Sequence, residues 1–331
     1  MKKVHIFIVI VLVLILSNSI NESETKPGLT SESAEVSQSD SSPLPTVLYD
    51  SADNNRIKIM SSDNNIYVTD NENNLGNQKY HEVSAELSSS KILVNKETPL
   101  EKDINVELTD IDPRKIILEH KDLKLDSIAV KALYSMLAQA HRDGINGFVL
   151  NSAYRSESSQ REIFNYNLSV FKKSSQNYSE ALKKTRLLVA APGFSEHQTG
   201  LAVDIFSVNG RHRTDFKGTK EQIWLDSNAY KYGFILRYGR DKTDKTGATY
   251  EPWHFRFTGI QLSTYLFSEG LCLEEFYKKI FRGQVIKGKD CLFMKIDRGQ
   301  KVYCTGSTFS SIVLEPVKKD VLLLTVKFQS N

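Results

Sequence analysis

The sequence predicts an α+β fold, in which a small antiparallel sheet with flanking helices is followed by a small β appendage at the C-terminus. Three observations lead there. Stretches with helical spacing of apolar residues, at 127–142, 157–171, 178–189 and 221–231, are mixed with short extended runs at 148–151, 201–205, 234–237 and 253–257. The two kinds do not alternate strictly, so the parallel sheet of repeated βαβ units is not expected. From residue 284 the pattern changes to strand-like runs alone, at 291–296, 301–303, 312–315 and 321–328.

Taken from the start, Lys2 and Lys3 precede an unbroken apolar run of eleven residues, Ile6–Leu16, and Ser17 and Ser19 supply a small-x-small site after it. That is the pattern of a secretory signal. The run is shorter than the about 20 residues of a membrane span, but Val4, Ser17 and Ile20 extend it enough for an uncleaved anchor. Residues 1–19 are therefore read as a signal peptide or N-terminal membrane anchor, and the rest as extracytoplasmic. No cysteine follows the run, which excludes a lipoprotein anchor. Residues 20–45 are rich in Ser, Glu, Pro and Asn, carry five acidic residues against one lysine and have no aromatic residue. They read as a disordered tether.

Residues 46–90 form a small N-terminal module built on a hairpin, with Arg56–Met60 and Asn65–Thr69 joined by Ser-Ser-Asp-Asn. Its His81 reads as a surface residue. The central domain spans 91–282 and the β appendage 283–331. In the central domain, Ala129, Leu133, Met136, Leu137 and Ala140 make one stripe of a helix that Gly144 stops, with His141 near its C-terminus, where a cation is favoured. The extended run at 148–151 leads into a helix with Gln160, Ile163, Phe164 and Asn167 on linked turns. A second helical run ends before Pro192.

The 43 basic and 40 acidic side chains leave a net charge of +3. With no basic run interleaved with aromatics, nothing points to nucleic acid. Cys272, Cys291 and Cys304 are an odd number in the last fifth of the chain, which leaves at least one thiol unpaired; a Cys291–Cys304 pair is open, but so sparse a set reads rather as free thiols, and none has a histidine nearby in sequence, which argues against a catalytic cysteine.

The chemistry concentrates in Ala191–Ile205. Leu201, Val203 and Ile205 alternate with Ala202 and Asp204, so a strand here sets Asp204 on the face away from the large apolar residues. His197 lies in a turn bracketed by Gly193 and Gly200. In Glu251-Pro-Trp-His-Phe-Arg-Phe257, the rings of Trp253, Phe255 and Phe257 form one face and leave His254 and Arg256 on the other. Two imidazoles and a carboxylate make a three-ligand set that suits a catalytic zinc with an open fourth position. Glu251, held extended by the following proline, can reach water there without ligating. Taken singly, His197 also reads as a turn residue, Asp204 as a cap and Glu251 as a surface acid.

A further stretch, Ser152-Ala-Tyr-Arg-Ser-Glu-Ser-Ser-Gln160, follows the apolar Phe148–Leu150. Together the three segments resemble the zinc D,D-carboxypeptidases of the VanY type, in the family that also holds the L,D-carboxypeptidases of peptidoglycan. The patterns S-x-Y-R-S-x-x-x-Q, S-x-H-x-x-G-x-A-x-D and E-x-W-H read here as Ser152–Gln160, Ser195–Asp204 and Glu251–His254, without departure, and the resemblance runs from about residue 92 to 279. It implies a mononuclear zinc site on His197, Asp204 and His254, with Glu251 as catalytic acid and base and Arg155 facing the substrate. Gln160 and Ser195 are candidate substrate hydrogen-bonders, with orienting the loop and the helix start as their alternative. The implied substrate is a peptidoglycan stem peptide, losing its terminal D-alanine or D-lactate, as in glycopeptide resistance. The place of work is then the cell membrane or cell wall, and the protein is expected to be a monomer. L,D-carboxypeptidase and endopeptidase activities on the same polymer remain alternatives.

Two rivals are weaker. Ser88-Ser-Ser-Lys91, Ser207-Val-Asn209 and Lys245-Thr-Gly247 match the S-x-x-K, S-x-N and K-T-G patterns of serine penicillin-binding carboxypeptidases. Ser88, however, lies in a polar run with no helix to seat it, and Lys245 in a charged loop. A non-catalytic peptidoglycan-binding module would be favoured by loss of Glu251 or a ligand, and all are present.

Overall fold

Four strands open the described part of the chain: β1 (Thr46–Asp50), β2 (Lys58–Ser62), β3 (Asn65–Thr69) and β4 (His81–Val83). The computed structural model describes residues 46–50, 57–62, 64–70, 80–85, 90–101, 106–210 and 215–329. The apolar run and polar stretch within 1–45 lie outside these, as does Ser88. No helix among the described residues is long and apolar enough to cross a membrane.

Next come β5 (Leu108–Asp110), β6 (Ile117–Leu118) and β7 (Lys124–Asp126), then helix α1 (Ser127–Arg142) and β8 (Phe148–Ser152). Helices α2 (Glu157–Lys172) and α3 (Tyr178–Leu188) follow, then a 3-10 turn, Glu196–Thr199, and β9 (Ala202–Ser207). After α4 (Lys220–Asn228) the chain makes β10 (Phe234–Leu236), the single helical turn α5 (Thr243–Thr246), β11 (His254–Phe257), α6 (Ile260–Glu269) and α7 (Leu273–Phe281). It ends with β12 (Ile286–Lys287), β13 (Cys291–Asp297), β14 (Val302–Thr305), β15 (Phe309–Lys318) and β16 (Val321–Phe328).

The central sheet has the order β10-β11-β9-β8-β6. Its neighbours are antiparallel except β6 and β8, which run parallel, so the sheet is mixed rather than purely antiparallel. Two residues, Ile117 and Leu118, make the whole of the parallel edge, too short a run to announce itself by alternation. Helix α1 starts where Asp126 accepts the Ile128 N–H at 3.0 Å. Its predicted stripe, Ala129, Leu133, Met136, Leu137 and Ala140, packs with Leu150, Val203, Ile205 and Phe255 in one core. Strand β9 is buried along its whole length. The face carrying Asp204 is therefore shielded from solvent too, and any polar group on it needs a partner.

Strands β5 and β7 pair with each other alone, and the remaining strands form two larger sheets, β1-β2-β3-β14-β4 and β12-β13-β16-β15. Ile59, Ile66 and Val68 of the first share a core with Leu292, Met294, Leu324 and Val326 of the second. Strand β14 pairs parallel with β3, Tyr303 opposite Tyr67. The described strands of 46–90 and of 283–331, set apart in the sequence reading, thus share a sheet and a core. A polar-flanked hairpin has too little apolar surface to stand alone, and here it gains that surface from the other end of the chain.

A buried ion pair joins this β layer to the central domain. Lys91 Nζ lies 3.0 Å from Glu315 Oε2 and donates to the Thr258 carbonyl at 2.7 Å. Ser90 Oγ donates to Glu315, and the Leu93 N–H to the Val317 carbonyl. Lys91 is the lysine of the S-x-x-K match, and its ammonium is held inside this junction. Ser207 of the S-x-N match is fully buried and donates to Glu221 at 2.8 Å. Neither is placed for serine chemistry. The three cysteines are free, and burial pushes the thiols of Cys272 and Cys291 up to about 12, which keeps them inert.

Removing one member of a buried pair leaves the other charge uncompensated, whereas replacing both is close to neutral. Lys91→Met should lower the unfolding free energy by about 3 kcal/mol in urea titration. Lys91→Met with Glu315→Leu should recover most of that loss.

Candidate metal centre and its surroundings

Residues directly opposite on antiparallel strands point to the same face, with Cβ atoms about 5 Å apart. Asp204 on β9 is directly opposite His254 on β11. Register alone therefore brings the carboxylate and the imidazole together, with His254 Nδ1 3.1 Å from Asp204 Oδ1. His197 enters from the 3-10 turn before β9. That turn is closed by Gly200 in the left-handed region at φ 70°, where a Cβ would meet the Asp126 backbone nitrogen and the side chains of Val106 and Leu108. The ring of His197 stands perpendicular to that of His254, with centroids 4.9 Å apart. Its Nδ1 lies 2.6 Å from the Ala153 carbonyl oxygen, which fixes the tautomer with the proton on Nδ1. Nε2 is left as a lone pair, fully buried, without a hydrogen-bond partner and 3.4 Å from Asp204 Oδ2.

Each of the three residues offers a ligand atom within 4.8 Å of the others. Two imidazole nitrogens and a carboxylate oxygen at this spacing, one nitrogen unpaired, are the donor set of a zinc centre with room for a further ligand. The residues present therefore fit the ion.

The other expected residues gather around the same point. Glu251 Oε2 is 3.8 Å from His254 Nδ1, and the Glu251 N–H is held by the Tyr238 carbonyl at 3.1 Å. Arg155 follows the end of β8, where a register shift between Leu150 and Ser152 turns the strand and sets Ser152 opposite Asp204. Its N–H donates to the His197 carbonyl at 3.1 Å, and its Nη2 lies 3.8 Å from Asp204 Oδ2. Gln160 is buried; its amide oxygen accepts from Arg155 Nη1 at 3.0 Å and its amide nitrogen donates to the Ala190 carbonyl at 2.7 Å. In this geometry Gln160 orients the guanidinium. Ser195 is buried at the entry of the 3-10 turn, where its carbonyl takes the Gln198 N–H.

The sequence reading missed the charged groups behind the histidines. Glu196, Arg237 and Arg256 have fully buried side chains. Glu196 Oε2 lies 3.3 Å from His254 Nε2, Arg237 Nε donates to Glu196 Oε1 at 2.7 Å, and Arg237 Nη1 donates to Glu274 at 2.8 Å. The one available signal was Arg256, a charge between two phenylalanines on the strand of His254.

These contacts set the protonation states. Burial alone would raise the Asp204 carboxyl, but the His254 imidazole, with Nδ1 3.1 Å away, holds it well below the usual carboxylate range. Burial, then Arg155, pushes His197 down to about 4, against the pull of Asp204. Burial also works against charge on His254, but bonds to Asp204 and Glu196 outweigh it and lift the imidazole to about 9.

The VanY family profile, described as D-alanyl-D-alanine carboxypeptidase, matches residues 122–260. A D-alanyl-D-alanine carboxypeptidase of Enterococcus faecalis is 38% identical over 205 residues, 62% of this chain and 71% of that protein. The structure of VanYB in complex with D-alanine-D-alanine aligns at 35% identity and a TM-score of 0.50, covering 57% of this chain and 97% of that one. A mutant of the D,D-pentapeptidase VanY from a VanB-type resistance cassette, in complex with Zn(II), aligns with the same identity and TM-score over 57% of this chain and 98% of its own.

His254 must give up a proton to ligate, whereas His197 is already neutral near pH 7. Zinc uptake at pH 7.5 should therefore release about one proton, and affinity should weaken about tenfold per pH unit as pH falls below about 9. Calorimetry in buffers of different ionisation enthalpy measures both.

Proposed function

The chain belongs to the VanY family of D-alanyl-D-alanine carboxypeptidases, and we propose that it removes the C-terminal D-alanine of peptidoglycan stem peptides with zinc held by His197, Asp204 and His254. The observation that carries the ligand assignment is the buried, unpaired Nε2 of His197 facing Asp204. A buried lone pair with no donor is costly unless something fills it. The catalytic unit is assigned to residues 91–282 and works outside the cytoplasm, with residues 1–19 as export signal or anchor.

A bound zinc ion supplies Lewis acidity, which lowers the pKa of a water and polarises a carbonyl. The chain's own groups do the rest. Glu251, 3.8 Å from His254 Nδ1, takes a proton from the attacking water as the new C–O bond forms. It returns that proton to the nitrogen of the departing D-alanine as the C–N bond breaks. Arg155, steered by Gln160, presents charged donors to the free carboxylate of the terminal residue. Trp253 stacks on Phe206 at 5.7 Å and closes the apolar side of the strand pair.

Incubating the full chain with a synthetic pentapeptide ending in D-alanyl-D-alanine tests the proposal: free D-alanine should appear, disappear with chelator and return with added zinc. Release of D-alanine only from the tetrapeptide would assign the L,D-activity instead. Glu251→Gln should keep its zinc and lose about a hundredfold to ten-thousandfold in kcat, read by metal analysis and steady-state kinetics. Converting the peptide C-terminus to an amide should lower kcat/KM about tenfold to a hundredfold, with Arg155→Ala showing little of that discrimination. Equal cleavage of acid and amide by the unmodified enzyme would point to an endopeptidase.

A further inference from the structure

We infer that Glu196 is the orienting carboxylate of the metal centre: it accepts the Nε2–H of His254 and thereby presents Nδ1 of that ring beside Asp204. The inference rests on the zinc reading above and adds a residue to it. Glu196 Oε2 is 3.3 Å from His254 Nε2, while Nδ1 of the same ring is 3.1 Å from Asp204. The other oxygen of Glu196 faces the arginines. Arg237 Nε donates to Oε1 at 2.7 Å, and Arg256 Nη1 lies 3.2 Å from it. Both cations address Oε1, so Oε2 is kept for the imidazole.

The arginines behind Glu196 are themselves held by further partners. Arg237 donates through both terminal nitrogens to the two oxygens of Glu274 on α7, and Glu274 Oε1 also accepts from Asn95 at 3.1 Å. Arg256 donates through Nη2 to the Ile92 carbonyl at 2.7 Å. Neutralising Arg237 and Arg256 engages Oε1 alone, whereas Oε2 is turned to the histidine. Glu196 also immediately precedes His197, so one 3-10 turn delivers a ligand and the group that orients the other histidine. The two rings are held in opposite senses. His197 is anchored at Nδ1 by the Ala153 carbonyl and offers Nε2, while His254 is anchored at Nε2 by Glu196 and offers Nδ1. A carboxylate on the outer nitrogen fixes the tautomer and raises ligand basicity. Glu196 is thus a positioning residue, touching neither substrate nor ion.

The test uses the full chain loaded with zinc. Nitrogen-15 spectra of the histidine rings should show His254 protonated at Nε2 with a downfield, exchange-protected proton. Glu196→Gln, which fills the same space without the charge, should bind zinc about tenfold to a hundredfold more weakly in chelator competition. Its cobalt(II) form should have shifted visible bands, and Glu196→Asp should fall between. Zinc bound by the unmodified chain with His254 protonated at Nδ1 would overturn the inference and leave the proposed function standing. So would a folded Glu196→Gln with zinc affinity within about twofold and an unchanged cobalt spectrum. If Glu196→Gln does not fold, the ring protonation of the unmodified chain decides alone. An unmodified chain that binds no zinc would sink both readings.

Discussion

The pairing of Asp204 with His254 across two buried strands is the constraint on which the rest of the site depends. A strand buried on both faces has no water to satisfy a carboxylate or an imidazole, so each polar group there must meet another. The register of β9 against β11 supplies the first meeting, and the 3-10 turn ahead of β9 supplies His197. Glu251, on the turn that leads into β11, and Arg155, just beyond the bulged end of β8 next to β9, then come to the same point. The centre of the site is thus built by backbone hydrogen bonding, and its side chains need little conformational freedom to reach one another.

That choice carries a structural cost, which the charges behind the strands offset. His254 and Glu196 are deeply buried and ionisable, and isolated ions there would be strongly disfavoured. Arg237 and Arg256 compensate Glu196, and Glu274 compensates Arg237, so the network closes with cations between carboxylates. It also extends outward. Glu274 sits on α7, and Arg256 holds the Ile92 carbonyl in the segment that leads to Lys91 and Glu315. The β layer and the central domain are therefore joined through the strand that carries His254, at Arg256 and at the Thr258 carbonyl. The serine reading of Lys91 loses its ground for the same reason: the ammonium is a structural clamp.

What could be read from the sequence was whatever local spacing encodes. Helix α1 announces itself through Ala129, Leu133, Met136, Leu137 and Ala140, and the residues around the metal site sit in three short motifs whose positions are fixed by turns and strand alternation. What could not be read depends on partners distant in the chain. Alternation marks β3 and β14 as strands but says nothing of Tyr67 lying opposite Tyr303, so the two ends of the chain read as separate additions. Glu196, Arg237 and Glu274 have no common period, and their ion pairs form only after three elements pack. Gln160 reads equally as a group for the substrate or as an orienting group, because the arginine it holds leaves no local signature in the sequence.

The atoms that surround the ion decide the ligand assignment most directly. X-ray absorption at the zinc edge on the full chain should show two imidazole nitrogens at about 2.0–2.1 Å and carboxylate oxygen at about 2.0–2.2 Å, with no sulfur. A sulfur shell at about 2.3 Å, or a shell of oxygen alone without imidazole scattering, would contradict the assignment of His197, Asp204 and His254.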